Sequence, residues 1–150
     1  MKKVEPAKMI VIVVVFVTAV VAVLYLTTRA AVPEGTLRIE QAGRALELPL
    51  AQLDLTAVHG TVVNGRSEER TVDAQGILLS EVLREAGVTE FSTVTVTADD
   101  EYSAVVTAEE AAVTGKVYLI RQDGGGMQLI VFGDDNSKRN VSNVARLSVQ

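Results

Sequence analysis

Apolar and polar positions change period several times along this chain, and those changes divide it. Residues 9–26 read MIVIVVVFVTAVVAVLYL, apolar throughout, with no charge, Pro or Gly. At ~1.5 Å rise per residue such a helix spans ~27 Å, close to a bilayer's hydrocarbon core. Lys2, Lys3 and Lys8 precede the run and Arg29 follows it, which predicts a cytoplasmic N-terminus. The expectation is a signal anchor: residues 1–8 cytoplasmic, 9–26 transmembrane, 27–36 a linker broken by Pro33 and Gly35, and 37–150 one domain outside the membrane. That places the protein in the cell membrane, single-pass, with its C-terminal domain extracytoplasmic. A cleaved signal peptide is the rival reading, weakened by the length of the run.

Beyond the linker the period becomes two. Residues 37–40 and 45–48 alternate around Gln41-Ala42-Gly43-Arg44, which predicts a β-hairpin. Pro49 opens a short helical segment. Residues 56–63 and 69–72 predict a second hairpin turned by Asn64-Gly65. Over 76–86 the period lengthens: Ile77, Leu78, Val82, Leu83 and Ala86 share one helical face, and Gly87 supplies a natural terminator. Residues 91–98 and 102–106 alternate again. Thr107 with Glu110 has the spacing of a capping box and predicts a short helix. Strands follow at 117–121, 127–132 and 144–149, with Gly124-Gly125-Gly126 and the polar stretch 133–140 between them. The order predicts an α+β fold: an N-terminal transmembrane helix, then one compact domain of mixed or antiparallel β-sheet with two or three short helices.

Composition narrows the function. The chain has 150 residues and a net charge of −5. Residues 1–34 carry +2, so the remainder carries −7. That excludes nucleic acid as a partner, since phosphate contacts need clustered positive charge. The absence of Cys removes disulfides, thiolate ligands and cysteine nucleophiles together. His59 is the single histidine and has no partner at ligand spacing, so it reads as a strand residue. Asp99-Asp100-Glu101 reads as a solvated acidic turn, because the spacing of a calcium loop is missing. Gly124–Gly126 is followed by strand-like residues, not a helix, and reads as a hairpin turn instead of a phosphate cradle. No residues are assigned as catalytic or metal-ligating. The loop at 133–140 is different. Lys138 and Arg139 stand beside Ser137 and, further on, Ser142. A basic pair among small hydroxyl side chains is suited to holding an anion, with Arg making a bidentate contact.

Three stretches give the domain a family likeness. Gly76-Ile-Leu-Leu-Ser-Glu-Val-Leu-Arg-Glu-Ala-Gly87 is similar to a "G-V-x-L-x-x-L-L-x-x-A-G" helix. Val94-Thr-Val-Thr-Ala-Asp-Asp-Glu-Tyr102 is similar to a "V-x-x-x-A-x-D-G-Y" hairpin. Leu129-Ile-Val-Phe-Gly133 with Val141-Ser-Asn-Val-Ala-Arg146-Leu-Ser-Val149 is similar to a closing "L-V-x-P-G…K-x-V-K-x-V-x-R-I-x-V" motif. Together they resemble the molybdopterin-binding domain of sulfite-oxidase-like oxidoreductases. The resemblance implies that family's fold and, in its catalytic members, a molybdenum-ligating Cys that this chain lacks. Of two basic positions implied to contact the cofactor, Arg139 matches the first and Ser142 stands at the second. The expected function is therefore a membrane-anchored, non-catalytic binding or interaction module without a cofactor. The alternatives are a ligand-binding protein retaining an anion or pterin site at Arg139, Lys138, Ser137 and Ser142, and an accessory subunit of a cell-envelope redox complex. A carboxylate enzyme using Asp99 or Glu101 needs a paired acid ~5–10 Å away in a cleft. A small cobalamin-type or ubiquitin-like module would leave residues 127–149 outside the sheet.

Overall fold

A computed structural model describes residues 6–28 and 35–150. The chain divides into two compact units, Met1–Ala31 and Val32–Gln150. In the first, helix α1 (Pro6–Thr28) forms where the apolar run predicts it. Its side chains are described over 9–21, where every one is exposed. The hydroxyl of Thr18 donates back to the Val14 carbonyl at 2.8 Å, so the one polar group in that stretch bonds within the helix. No helix among the described residues is long and apolar enough to cross a membrane. This corrects the expected transmembrane anchor over 9–26 and, with it, the single-pass placement and extracytoplasmic domain.

The second unit is a mixed α/β domain with two sheets, which corrects the expectation of one sheet carrying the sulfite-oxidase-like fold. The first sheet contains β1 (Thr36–Gln41), β2 (Arg44–Pro49), β5 (Thr93–Ala98), β6 (Ser103–Thr107) and β9 (Val144–Val149). Their order is β2-β1-β9-β5-β6. The second contains β3 (Thr56–Val63), β4 (Glu69–Leu78), β7 (Val117–Arg121) and β8 (Met127–Val131), in the order β3-β4-β7-β8. Among the described strands only β1 and β9 run parallel, pairing Arg38 with Arg146 and Gln41 with Val149. Residues 127–149 thus supply an edge of one sheet and the centre of the other, which a ubiquitin-like module would not do.

The expected hairpins form, with two shifts. Asn64-Gly65 does not make a two-residue turn. The chain loops through 64–68, and the left-handed residue is Ser67, at φ 61°. Asn64 Oδ1 accepts from the N–H groups of Arg66 and Glu68 at 2.8 and 3.0 Å, closing the loop with a side chain. The second shift lies at 76–78. These residues read as the first turn of a helix but extend β4 instead, pairing with 118–120 of β7. A Cβ at Gly76 would stand 2.8 Å from the Leu119 carbonyl oxygen, so glycine permits this close ladder.

Helix α2 (Leu79–Glu85) begins after that pairing ends. It stops as Gly87 predicts: the Gly87 N–H donates to the Arg84 carbonyl and the Val88 N–H to the Leu83 carbonyl, a Schellman closure with Gly87 at φ 79°. Leu79, Val82 and Leu83 are buried on one face. At ~1.5–3 kcal/mol per buried side chain, that face outweighs the poor intrinsic stability of so short a helix. It packs into a cluster with Leu37, Ile77, Val96, Leu119, Leu129 and Leu147, drawn from both sheets. Strands β7 and β8 are buried on both faces. Ile120 and Ile130 point away from that cluster and join Val58, Val62 and Val72 of the β3–β4 hairpin in a second one. Phe132 closes it, edge to face with Tyr118 at 5.8 Å. Gly60 makes room for the ring, because a Cβ there would stand 2.4 Å from Phe132 Cε1.

Candidate functional site

The four residues chosen as an anion site lie in and just after the loop that joins β8 to β9. Gly133, at φ 88°, turns the chain out of the sheet. Val141, fully buried, brings it back, and its carbonyl accepts from the Leu129 N–H at 2.8 Å. Between them Asn136 Oδ1 accepts from the Lys138 N–H, and the Ser137 carbonyl accepts from the Asn140 N–H. The loop is therefore braced by its own polar groups.

Arg139 does not face an open anion site. Its Nε and Nη2 donate to the two carboxylate oxygens of Asp134 at 2.8 and 2.5 Å. Its Nη1 donates to both oxygens of Glu110 at 2.8 Å. Glu110 belongs to helix α3 (Ala108–Ala112), where it completes the expected capping box: its N–H donates to Thr107 Oγ1, and Glu110 Oε2 accepts from the Thr107 N–H. Lys116 Nζ lies 3.6 Å from the same carboxylate. One glutamate thus caps α3 and ties it to the loop.

The charges respond to this geometry. Partial burial pushes the Glu110 carboxyl up, but hydrogen bonds from Arg139 and the Thr107 backbone, with the charges of Arg139 and Lys116, outweigh it. The net effect holds Glu110 below the usual carboxylate range. The Asp134 hydrogen bond raises Arg139 well above its ordinary value, burial opposes this, and Glu110 adds to it. A guanidinium satisfied by two carboxylates has little left to offer an anion.

The remaining three residues diverge. Ser137 faces the β3–β4 loop, its hydroxyl 3.6 Å from where a Gly65 Cβ would stand. The Lys138 carbonyl accepts from the Tyr102 hydroxyl at 2.5 Å, which pins the loop to the turn between β5 and β6. Ser142 lines a shallow pocket of about 220 Å³ with Asp99, Asp100, Tyr102, Asn140 and Asn143. That pocket is lined by carboxylates and excludes Arg139, so its electrostatics oppose an anion.

Sequence reasoning missed Glu110, Asp134 and Tyr102. Two signals for them were present: Glu110 was already marked by its capping spacing to Thr107, and Asp134 stands five residues before the arginine it pairs. His59 Nδ1 lies 3.1 Å from Asp73 Oδ1, a cross-strand pair with both side chains mostly exposed. In the acidic turn Asp100 Oδ1 accepts from the Tyr102 N–H, and Glu101 Oε2 accepts from Arg146. Gly124–Gly126 lies in the β7–β8 hairpin turn, where the Gln122 N–H donates to the Gly126 carbonyl. Among the described residues, no group of three or more metal-ligating side chains is assembled. No protein-family model matches the chain, and no curated protein matches it significantly.

Proposed function

We propose that residues 36–150 form a binding module that acts through protein contacts and does no chemistry of its own. The observation that carries this reading is the saturated Arg139. In the family that the sequence resembles, this position and that of Ser142 are implied to meet the cofactor together. Here Arg139 is held by Asp134 and Glu110, while Ser142 sits beside Asp99 and Asp100. An anionic pterin would have to displace two carboxylates or bring its own charge against four. Charge-assisted hydrogen bonds are worth ~1.5–3 kcal/mol each, so displacement costs orders of magnitude in affinity. Arg139 ties the loop to α3 instead, and the Lys138 backbone carbonyl ties it to the β5–β6 turn.

The test is elemental mass spectrometry of natively purified protein, with fluorescence detection of oxidised pterin, beside calorimetric titration with pterin and inorganic phosphate. The expected result is no molybdenum, no pterin and no saturable heat. Stoichiometric molybdenum, or pterin binding abolished by Arg139→Ala, would overturn the reading.

A further inference from the structure

Strand β2 forms one edge of the first sheet. Ala42 and Gly43, at φ 50° and 77°, form the two-residue turn between β1 and β2, and Gln41 pairs with Arg44 across it. In such a hairpin the flanking pair exchanges both backbone hydrogen bonds, and every second pair after it does the same. The Leu50 N–H donating to the Gly35 carbonyl at 2.9 Å continues the same alternation. The backbone groups of Arg44, Leu46 and Leu48 are therefore spent on β1, while those of Ala45 and Glu47 point outward. No described strand lies beyond β2. Leu46, between those two free positions, is 45 % exposed although its partner Ile39 is buried.

We infer that two copies of this chain associate through β2, antiparallel about a two-fold axis at Leu46. In that register Ala45 of one copy faces Glu47 of the other, so each free N–H meets a free carbonyl, twice over. Leu46 meets its own counterpart at a non-hydrogen-bonded position, where side chains approach most closely. Both leucines lie on the core side, so the row Ile39–Leu46 continues across the axis as an unbroken apolar row. The register keeps the same face inward in both copies, which a C2 pairing of sheets requires. The other edge of this sheet is less suited. The N–H of Thr107 in β6 is already given to Glu110. Exposed Val105 lies on the face opposite the core, so pairing there would cover no core-side leucine. This inference goes beyond the proposed function, since pairing requires neither a ligand nor another protein.

The chain has no Cys, so an introduced one reports alone. Across the axis the Leu46 positions would stand ~4.5–5.5 Å apart between Cα atoms, within disulfide reach. The Ala45 positions, offset by two residues, would stand ~8 Å apart, outside it. The experiment is mild oxidation of the full chain carrying Leu46→Cys, Ala45→Cys or, as a surface control, Arg66→Cys. Leu46→Cys should form disulfide dimer at least tenfold faster than either of the others. Glu47→Pro removes an outward N–H without touching the β1 ladder, and adding it to Leu46→Cys should abolish the difference. Equal rates for Leu46→Cys and Arg66→Cys would overturn the inference, and so would undiminished crosslinking with Glu47→Pro. Association through helix α1 alone gives the first of those results.

Discussion

At the scale of single residues, Glu110 decides more than any side chain marked from the sequence. It accepts from Thr107 and from Arg139, and the Lys116 ammonium stands 3.6 Å from it. Its carboxyl is held below its ordinary range, so it is charged in the folded state at acidities where the unfolded chain takes up a proton. Stability from this group is fully present at neutral pH and is lost as the pH falls through its folded value. Urea unfolding midpoints should therefore decline below about pH 4.5, and Glu110→Gln should flatten part of that decline while lowering the neutral value. A Glu110→Gln profile parallel to the wild type would show that the ion network contributes nothing. Arg139→Ala removes the guanidinium from both Asp134 and Glu110, leaving Glu110 only Thr107 and Lys116. Bonds to charged groups are worth ~1.5–3 kcal/mol, and partial exposure weakens them, so the expected loss is about 1–2 kcal/mol by denaturant unfolding. Arg139→Lys should recover less than half of it, because a point charge does not hold two carboxylates in fixed directions.

At the scale of elements, the close approach of the β3–β4 hairpin to Phe132 rests on the missing side chain of Gly60. Gly60→Ala forces the ring aside and should cost about 1–3 kcal/mol, read as a shift in thermal midpoint. Phe132→Leu alone should also destabilise. In the double variant the two losses should fall short of additive, because the smaller side chain accepts the new methyl. Additive losses would place the strain elsewhere. Nothing in the alternation of residues 56–63 announces this contact, since Gly60 reads from the sequence only as a weak point in a strand. The same limit explains where the α2 prediction failed. Ile77 and Leu78 fit a helical stripe as well as a strand, and long-range pairing with Tyr118 and Leu119 decides between them. Local signals were legible where the chemistry is local: Thr107 with Glu110 at one helix start, and Gly87 at one helix end. At the candidate site the sequence singled out the loop and its arginine as an anion site. It did not reveal that the groups facing that arginine are acids, because Glu110 comes from 29 residues away.

At the scale of the whole domain, the two sheets and the single parallel pair were invisible to pattern reading, because periodicity specifies faces but not neighbours. The consequence is concentrated in β9. It lies between β1 and β5 and is the strand that joins the β1–β2 hairpin to the β5–β6 hairpin within one sheet. Its ladder to β1 couples the beginning of the domain to its end, Ile39 opposite Leu147. Leu147 is fully buried and packs in the cluster shared by both sheets and α2. Leu147→Ala should cost about 2–5 kcal/mol, near the whole margin of an ordinary domain. Removing 144–150 should go further. Without β9 the first sheet falls into two isolated hairpins, each marginal in water, and the inner faces of Leu37 and Val96 open to solvent. The expected outcome is loss of cooperative unfolding and collapse of amide dispersion in a heteronuclear NMR spectrum. A truncated chain that kept a sharp thermal transition would mean that the second sheet and α2 hold the core by themselves. In that case β1, β2, β5 and β6 would be dispensable to folding, and the free β2 edge would belong to an appendage instead of the domain's stable frame.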